Sequence, residues 1–188
     1  MLELEQLATT ELDLTEDMMT ENAARSITET AYGLILGDDR QSTSALVVIL
    51  AGNNRTGSRA VAAGRHLRNH GTRVVLCILG LEREDDLQDI VRRQVKIFRK
   101  CGGQAIKQDA LVETLRKLQS PTSLIIDALL GIHVSFDDLR TDDQIAYFQL
   151  VCWANGSEAD TLALDVPSGI DASTGTYPFV SCIIPKFH

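Results

Sequence analysis

The chain is poor in aromatic residues, in long apolar runs, in cysteine and, over its first forty residues, in basic charge. One Trp, three Tyr and five Phe among 188 residues leave little surface for stacking nucleobases, which argues against a dedicated nucleic-acid module. The longest apolar run, Ala45–Ala51, falls far short of the roughly 20 residues that a membrane helix needs, so no span and no membrane partner are expected. Four cysteines, Cys77, Cys101, Cys152 and Cys182, are widely spaced and contain no CxxC pair. That excludes a zinc site or a secreted disulfide framework and predicts reduced thiols, most of them buried. The N-terminus has no basic segment leading into an apolar one and is acid-rich where a mitochondrial presequence would be Arg-rich, so a cytoplasmic location is expected.

What is present is a foldable domain of ordinary composition, 44% hydrophobic and 23% charged, long enough for one sizeable core. The net charge of −8 resides entirely in residues 1–40, which hold ten acids and two bases and leave sixteen charges of each sign to the rest. Such an acidic front repels phosphate backbones, so any RNA binding is expected to be weak.

Met1–Asp13 shows no clear period and reads as a linker or disordered lead-in. From Thr15, a capping residue, Met18, Met19, Ala23, Ile27, Ala31 and Leu34 recur at helical spacing up to Gly37. After a polar turn over Asp38–Thr43, SALVVIL (Ser44–Leu50) reads as a strand buried on both faces. A helix follows over Gly57–His70, with Ala60, Ala63, Gly64 and Leu67 inward and Gly71 as its stop. RVVLCIL (Arg73–Leu79) reads as strand and Glu82–Cys101 as one helix. A short strand near Gln104–Ile106, a helix over Ala110–Leu118 and a strand over Ser123–Asp127 come next. A helix over Asp142–Ala154, with Ile145, Phe148 and Cys152 facing in, and a strand over Thr161–Val166 complete the pattern. This alternation predicts a doubly wound, Rossmann-like three-layer α/β/α sandwich with a mainly parallel sheet.

Parallel strands deliver Asn53, Asn54, Asp127, Asp165 and Ser168 to one sheet edge. Carboxylates at the ends of buried strands are costly unless they meet a cation, a ligand or loop amides, and both a ligand site and loop satisfaction stay open. GNNRTGS (Gly52–Ser58) sits where a phosphate loop would, but it lacks the P-loop lysine and one glycine of the dinucleotide fingerprint. An anion site there and an ordinary strand-to-helix turn both stay open. Arg92, Arg93, Lys96, Arg99 and Lys100 form the one basic cluster, and the acids that open the same helix favour a solvated amphipathic face. His66, His70, His133 and His188 are scattered without ligand spacing.

LAGNNRTGSRAVAAGRHLRNHG (Leu50–Gly71), LIIDALLGI (Leu124–Ile132) and LALDVPSGID (Leu162–Asp171) resemble, in order, three motifs of the YjeF N-terminal domain family. The resemblance covers roughly Leu14 to Gly175 and includes the MMTENAARSI stretch. Its enzymes are NAD(P)H-hydrate epimerases. The resemblance implies ligand contacts from Asn53, Asn54, Gly57, Asp127, Gly131 and Asp165. It also implies a potassium-type site from Asn54, Asp127 and Ser168, with Asp165 as the catalytic carboxylate if the chain is an epimerase.

Departures from that enzyme pattern are specific. Arg55-Thr56 looks like a two-residue insertion, Arg59 replaces an acid, Ser58 and Ala60 replace glycines, and Ser135 stands where a lysine would fall. With GRHLRNHG, LGLERE and DDLRTDDQ, these features look instead like the mRNA-decapping scaffold branch of the family. That branch implies a non-catalytic, homodimerising scaffold of cytoplasmic mRNA decay and P-bodies, with an NAD(P)-like or nucleotide ligand admitted but no cofactor required. Decapping-enzyme and DEAD-box-helicase partners would bind through segments absent from this chain. The dimer surface expected is the Met-rich face of Thr15–Leu34. Thr176–His188 resembles none of the family's later strands, so a C-terminally truncated domain with a divergent tail and weak stability is expected.

Overall fold

The computed structural model describes residues 2–36, 45–132, 134–170 and 174–175. The expected helix end at Gly37, the turn Asp38–Thr43, His133, Cys182, His188 and the tail Thr176–His188 lie outside the described residues. Among the described residues five strands, β1 (Leu46–Ala51), β2 (Arg73–Ile78), β3 (Ala105–Ile106), β4 (Leu124–Ala128) and β5 (Asp160–Ala163), form one sheet in the order β3-β2-β1-β4-β5. Every pairing is parallel, with Val48 level with Val75 on one side and Ile125 on the other.

Strand β1 is buried along its whole length, as its unbroken apolar run requires of a central strand covered on both faces. Val47, Ile49 and Ala51 face the helices α2 (Glu16–Leu36), α3 (Arg55–Asn69) and α4 (Asp89–Lys100); Leu46, Val48 and Leu50 face α5 (Leu111–Leu118) and α6 (Thr141–Gly156). The three layers are those expected from the alternation of apolar runs and amphipathic segments. In α3, Ala60, Ala63, Gly64 and Leu67 are all buried as read. A Cβ on Gly64 would meet Ile49 Cδ1 at 2.7 Å, so this helix lies close on the sheet because its inner face is small.

Four local expectations change. Leu2–Leu12 is a helix, α1, where an irregular lead-in is expected, and Glu5 ties it to α3 through Arg55 and Arg59. The inward face of α2 is Thr20, Ala24, Thr28, Ala31 and Ile35, whereas Met18 and Leu34 are exposed. The reason is steric: α2 meets Ala62 and Ala63 of α3, and close helices select small side chains over Met and Leu. Thr28 satisfies its own hydroxyl by donating to Ala24 O at 2.7 Å. Similarly α6 turns Tyr147, Leu150 and Val151 inward and leaves Ile145 57% exposed.

Glu82–Cys101 is not one helix. A 3-10 turn over Leu81–Asp86 ends at extended Leu87, and α4 starts at Asp89. Asn53 Oδ1 accepts from Gln88 N at 2.7 Å and its Nδ2 donates to Asp86 O, so a side chain from the sheet edge interrupts the helix. The acids of the turn therefore do not cap α4. They pair instead, Glu84 with Arg99 and Asp86 with Arg140, while Arg93 of α4 pairs with Asp17 of α2. Of the three described cysteines only Cys77 is buried; Cys101 is exposed and Cys152 half-buried. Burial pushes the Cys77 thiol up to about 12. Among the described residues no helix is long and apolar enough to cross a membrane.

Candidate functional site

The carboxyl edge of the sheet is organised by the turn from β1 into α3. A Cβ on Gly52 would stand 1.9 Å from Leu129 O, and one on Gly57 would stand 2.0 Å from Gly52 O. Only glycine permits this stacking of three backbone segments. Asn54 caps α3, its Oδ1 accepting from Gly57 N at 2.8 Å, while its Nδ2 donates to Leu129 O at 2.9 Å. One buried amide thus fastens the helix start to the end of β4, and the Gly57 N–H is spent on that cap.

Two clusters lie beyond it. In the first, Thr56 Oγ1 donates to Asp165 Oδ2 at 2.7 Å. Both sit over Gly131, where a Cβ would come within 2.4 Å of Thr56 Oγ1 and 3.2 Å of Asp165 Oδ2. Asp165 is exposed and adopts φ 67°, a left-handed conformation unusual for a residue with a side chain.

In the second cluster Asp127, buried on the α6 face, accepts from Ser168 N at 2.7 Å and Ser168 Oγ at 2.6 Å, and from Leu129 N at 3.3 Å. Desolvation raises its carboxyl above the ordinary value, against the lowering effect of these three hydrogen bonds. Tyr147 supports the same loop by accepting from Gly169 N at 2.6 Å. Burial, together with the Asp127 charge, pushes its phenol up to about 12.

The expected convergence therefore divides. Asn54, Asp127, Ser168, Gly131 and Asp165 do share the edge, but Asn53 turns toward β2. There it lines a cleft of about 400 Å³ with Gly80, Arg83, Leu87 and Arg140, a volume at the small-molecule end of the usual range. The cavity beside Asp127 and Ser168 is only about 90 Å³. The three residues implied for potassium do not fit a cation in this arrangement. The Asn54 oxygen faces an N–H, and Asp127 and Ser168 are bonded to each other, so among the described residues these three present no open cage of oxygens.

The YjeF-related protein N-terminus family model matches residues 16–186. The chain belongs to this family. The matched span of this YjeF-related domain runs past Gly175 into the segment read above as divergent. The domain is similar to the enhancer of mRNA-decapping protein 3 of Saccharomyces cerevisiae, 34% identical over 138 residues, 69% of this chain and 25% of that protein. It is also similar to the NAD(P)H-hydrate epimerase of Dehalogenimonas lykanthroporepellens, 32% identical over 178 residues, 95% of this chain and 66% of that protein. The chain thus spans a quarter of the one and just under two thirds of the other. Its fold matches the crystal structure of yeast ynu0, YNL200c, with a TM-score of 0.70 and 19% identity, covering 89% of this chain and 67% of that one.

Within the YjeF-related domain, Thr56 and Tyr147 are the residues of this edge that sequence reasoning passes over. Thr56 is legible only as half of an insertion, and nothing in its neighbours shows that it reaches a residue 109 positions away. Ser135, standing where the enzyme pattern has lysine, caps the 3-10 turn Phe136–Asp138 and donates its N–H to Asp138 Oδ2 at 2.8 Å.

Proposed function

We propose that this chain is a non-catalytic scaffold domain of an mRNA-decapping enhancer, acting in cytoplasmic mRNA decay and P-body assembly. The observation that carries the reading is the hydrogen bond that the chain itself makes to Asp165. In the carboxylate that an epimerase would use as acid or base, Oδ2 accepts from Thr56 Oγ1 at 2.7 Å, in the space above Gly131. A general base must be free to reach a substrate proton, and Thr56 comes from the insertion that the enzyme pattern lacks.

Homodimerisation is part of the proposal. Met18, Leu34 and Leu36, at the two ends of α2, stand 55%, 44% and 55% exposed, apolar side chains that a second copy would cover. The scaffold would recruit the decapping enzyme and a DEAD-box helicase through segments outside this chain, with weak RNA contact at most. It needs no cofactor, although the cleft near Asn53 has the size for a nucleotide-like ligand.

The alternative is cofactor repair by an NAD(P)H-hydrate epimerase, favoured by the preserved Asp127 and Asp165 at one edge. The test supplies the purified chain with the less usable epimer of hydrated NADPH and the matching dehydratase, and follows recovery of reduced cofactor. The scaffold reading expects none from a chain with a cooperative melt. Recovery that disappears in Asp165→Ala would make the protein an enzyme.

A further inference from the structure

We propose that Arg68 and Arg73 form a binding site for a small phosphate monoester at the amino end of the sheet, the end away from Asp127 and Asp165. Arg68 lies in the last turn of α3, and Arg73 opens β2, level with Leu46 of β1. The six residues of β2, about 16 Å of strand, separate this end from the carboxyl edge. Both arginines line a pocket of about 240 Å³ together with Gln104, Thr114 and the apolar Val75, Ile106 and Leu118. The volume falls below the usual range for a cofactor and suits a compact ligand.

Charge singles out this pair. Every other described arginine closes on a carboxylate, as a chain of net charge −8 readily allows. Among the described residues Arg68 and Arg73 meet neutral oxygens only: Arg68 Nη2 donates to Gly102 O at 2.8 Å and Arg73 Nη1 to Ser120 Oγ at 3.0 Å. Arg68 Nε is buried and has no hydrogen-bond partner among the described residues. No Asp or Glu among the described residues lines the pocket, and Glu113, the neighbour of Thr114, is paired with Arg116 and Lys117 of α5. Two half-buried cations lining one cavity repel each other and keep donors unspent.

A phosphate monoester answers this arrangement in charge and in shape. It carries close to two negative charges near neutral pH on one tetrahedral group, matching two guanidinium groups, and its oxygens can accept from donors on α3, β2 and α5 at once. A single carboxylate would leave one cation uncompensated. The carbon part must be short, because the cavity is small, and would rest on Val75, Ile106 and Leu118. The inference is independent of the scaffold reading, since it uses no residue of the carboxyl edge.

The test titrates glycerol 3-phosphate and, separately, succinate into the full chain by calorimetry at fixed ionic strength. The proteins are the wild type, Arg68→Gln, Arg73→Gln and, as a control for charge alone, Arg116→Gln on the exposed face of α5. The wild type is expected to bind glycerol 3-phosphate more tightly than succinate. Each pocket substitution should weaken that binding about ten-fold or more, and Arg116→Gln should leave it unchanged. No binding to the wild type, tighter binding of succinate, equal affinity in Arg73→Gln, or an equal loss in Arg116→Gln would overturn the proposal. Should the pocket variants not fold, hydrogen exchange on the wild type decides. Glycerol 3-phosphate must slow exchange over residues 102–106; unchanged exchange there, or protection over residues 52–58 instead, refutes the site.

Discussion

Asp127 is a buried carboxyl group that accepts three hydrogen bonds, and its titration is therefore a readout of the site. Its folded-state carboxyl is raised above the ordinary 3.8 by desolvation. The protonated form is thus the one the fold prefers. The resulting stability is present below the ordinary value and is lost as pH rises through the raised one. The melting temperature of the wild type relative to Asp127→Asn should accordingly fall as pH is increased from about 4 to 7; a difference that rises instead would show that the hydrogen bonds outweigh burial. Tyr147 makes a sharper case. Phenylalanine keeps the ring in its place against Phe136 but leaves the buried Gly169 N–H without its acceptor, which costs about 1–3 kcal/mol. Urea melts of Tyr147→Phe should show that loss with an unchanged dependence on denaturant.

At the scale of elements, the joins between helices are where charge matters. Glu21 of α2 binds Arg65 and, at 3.0 Å, His66 Nε2 of α3. Burial alone would raise its carboxyl, but the hydrogen bonds from Arg65 and His66 outweigh it and hold the group below the ordinary 4.5. The clasp therefore contributes above that ordinary value and fades as pH falls through the lowered one. Because Glu21 is 43% exposed, solvent screening limits the effect. Glu21→Gln should cost about 0.5–1 kcal/mol near neutrality, and the deficit in a chemical melt should vanish in acid. The strands and the inner face of α3 were legible in the sequence because continuous β-branched runs and a row of small residues each have one physical explanation. The phase of α2 was not, since Thr20 and Thr28 pass for surface residues until Ala62 and Ala63 are known to lie opposite. The break before α4 escaped for a related reason: it is imposed by Asn53, 35 residues earlier in the chain. Among the site residues, Asn54, Asp127 and Asp165 could be placed from strand ends alone. Thr56 could not, because its partner belongs to a loop that only the folded sheet brings near.

For the whole molecule, protection should run outward from the centre of the sheet. Strand β1 is covered on both faces and paired on both sides, whereas β5 pairs with β4 alone among the described strands and has exposed Asp160 and Thr161. Native-state hydrogen exchange should find the β1 and β4 amides opening only with global unfolding and those of β5 opening locally at lower free energy; equal protection in β5 would mean that its outer side is covered. The strand order also has a consequence in time. β2 reaches β1 through the short α3 crossover, but the backbone N–H of Leu46 at the start of β1 binds Ser123, 77 residues later in the chain. Closing so long a loop is slow, so a chain emerging from the ribosome holds β1, with its LVVIL run, paired on one side only until β4 has been made. During that interval the open side of β1 is where two nascent chains would meet, and a folding helper that shields this one strand would raise the yield more than any stabilisation of the finished sheet.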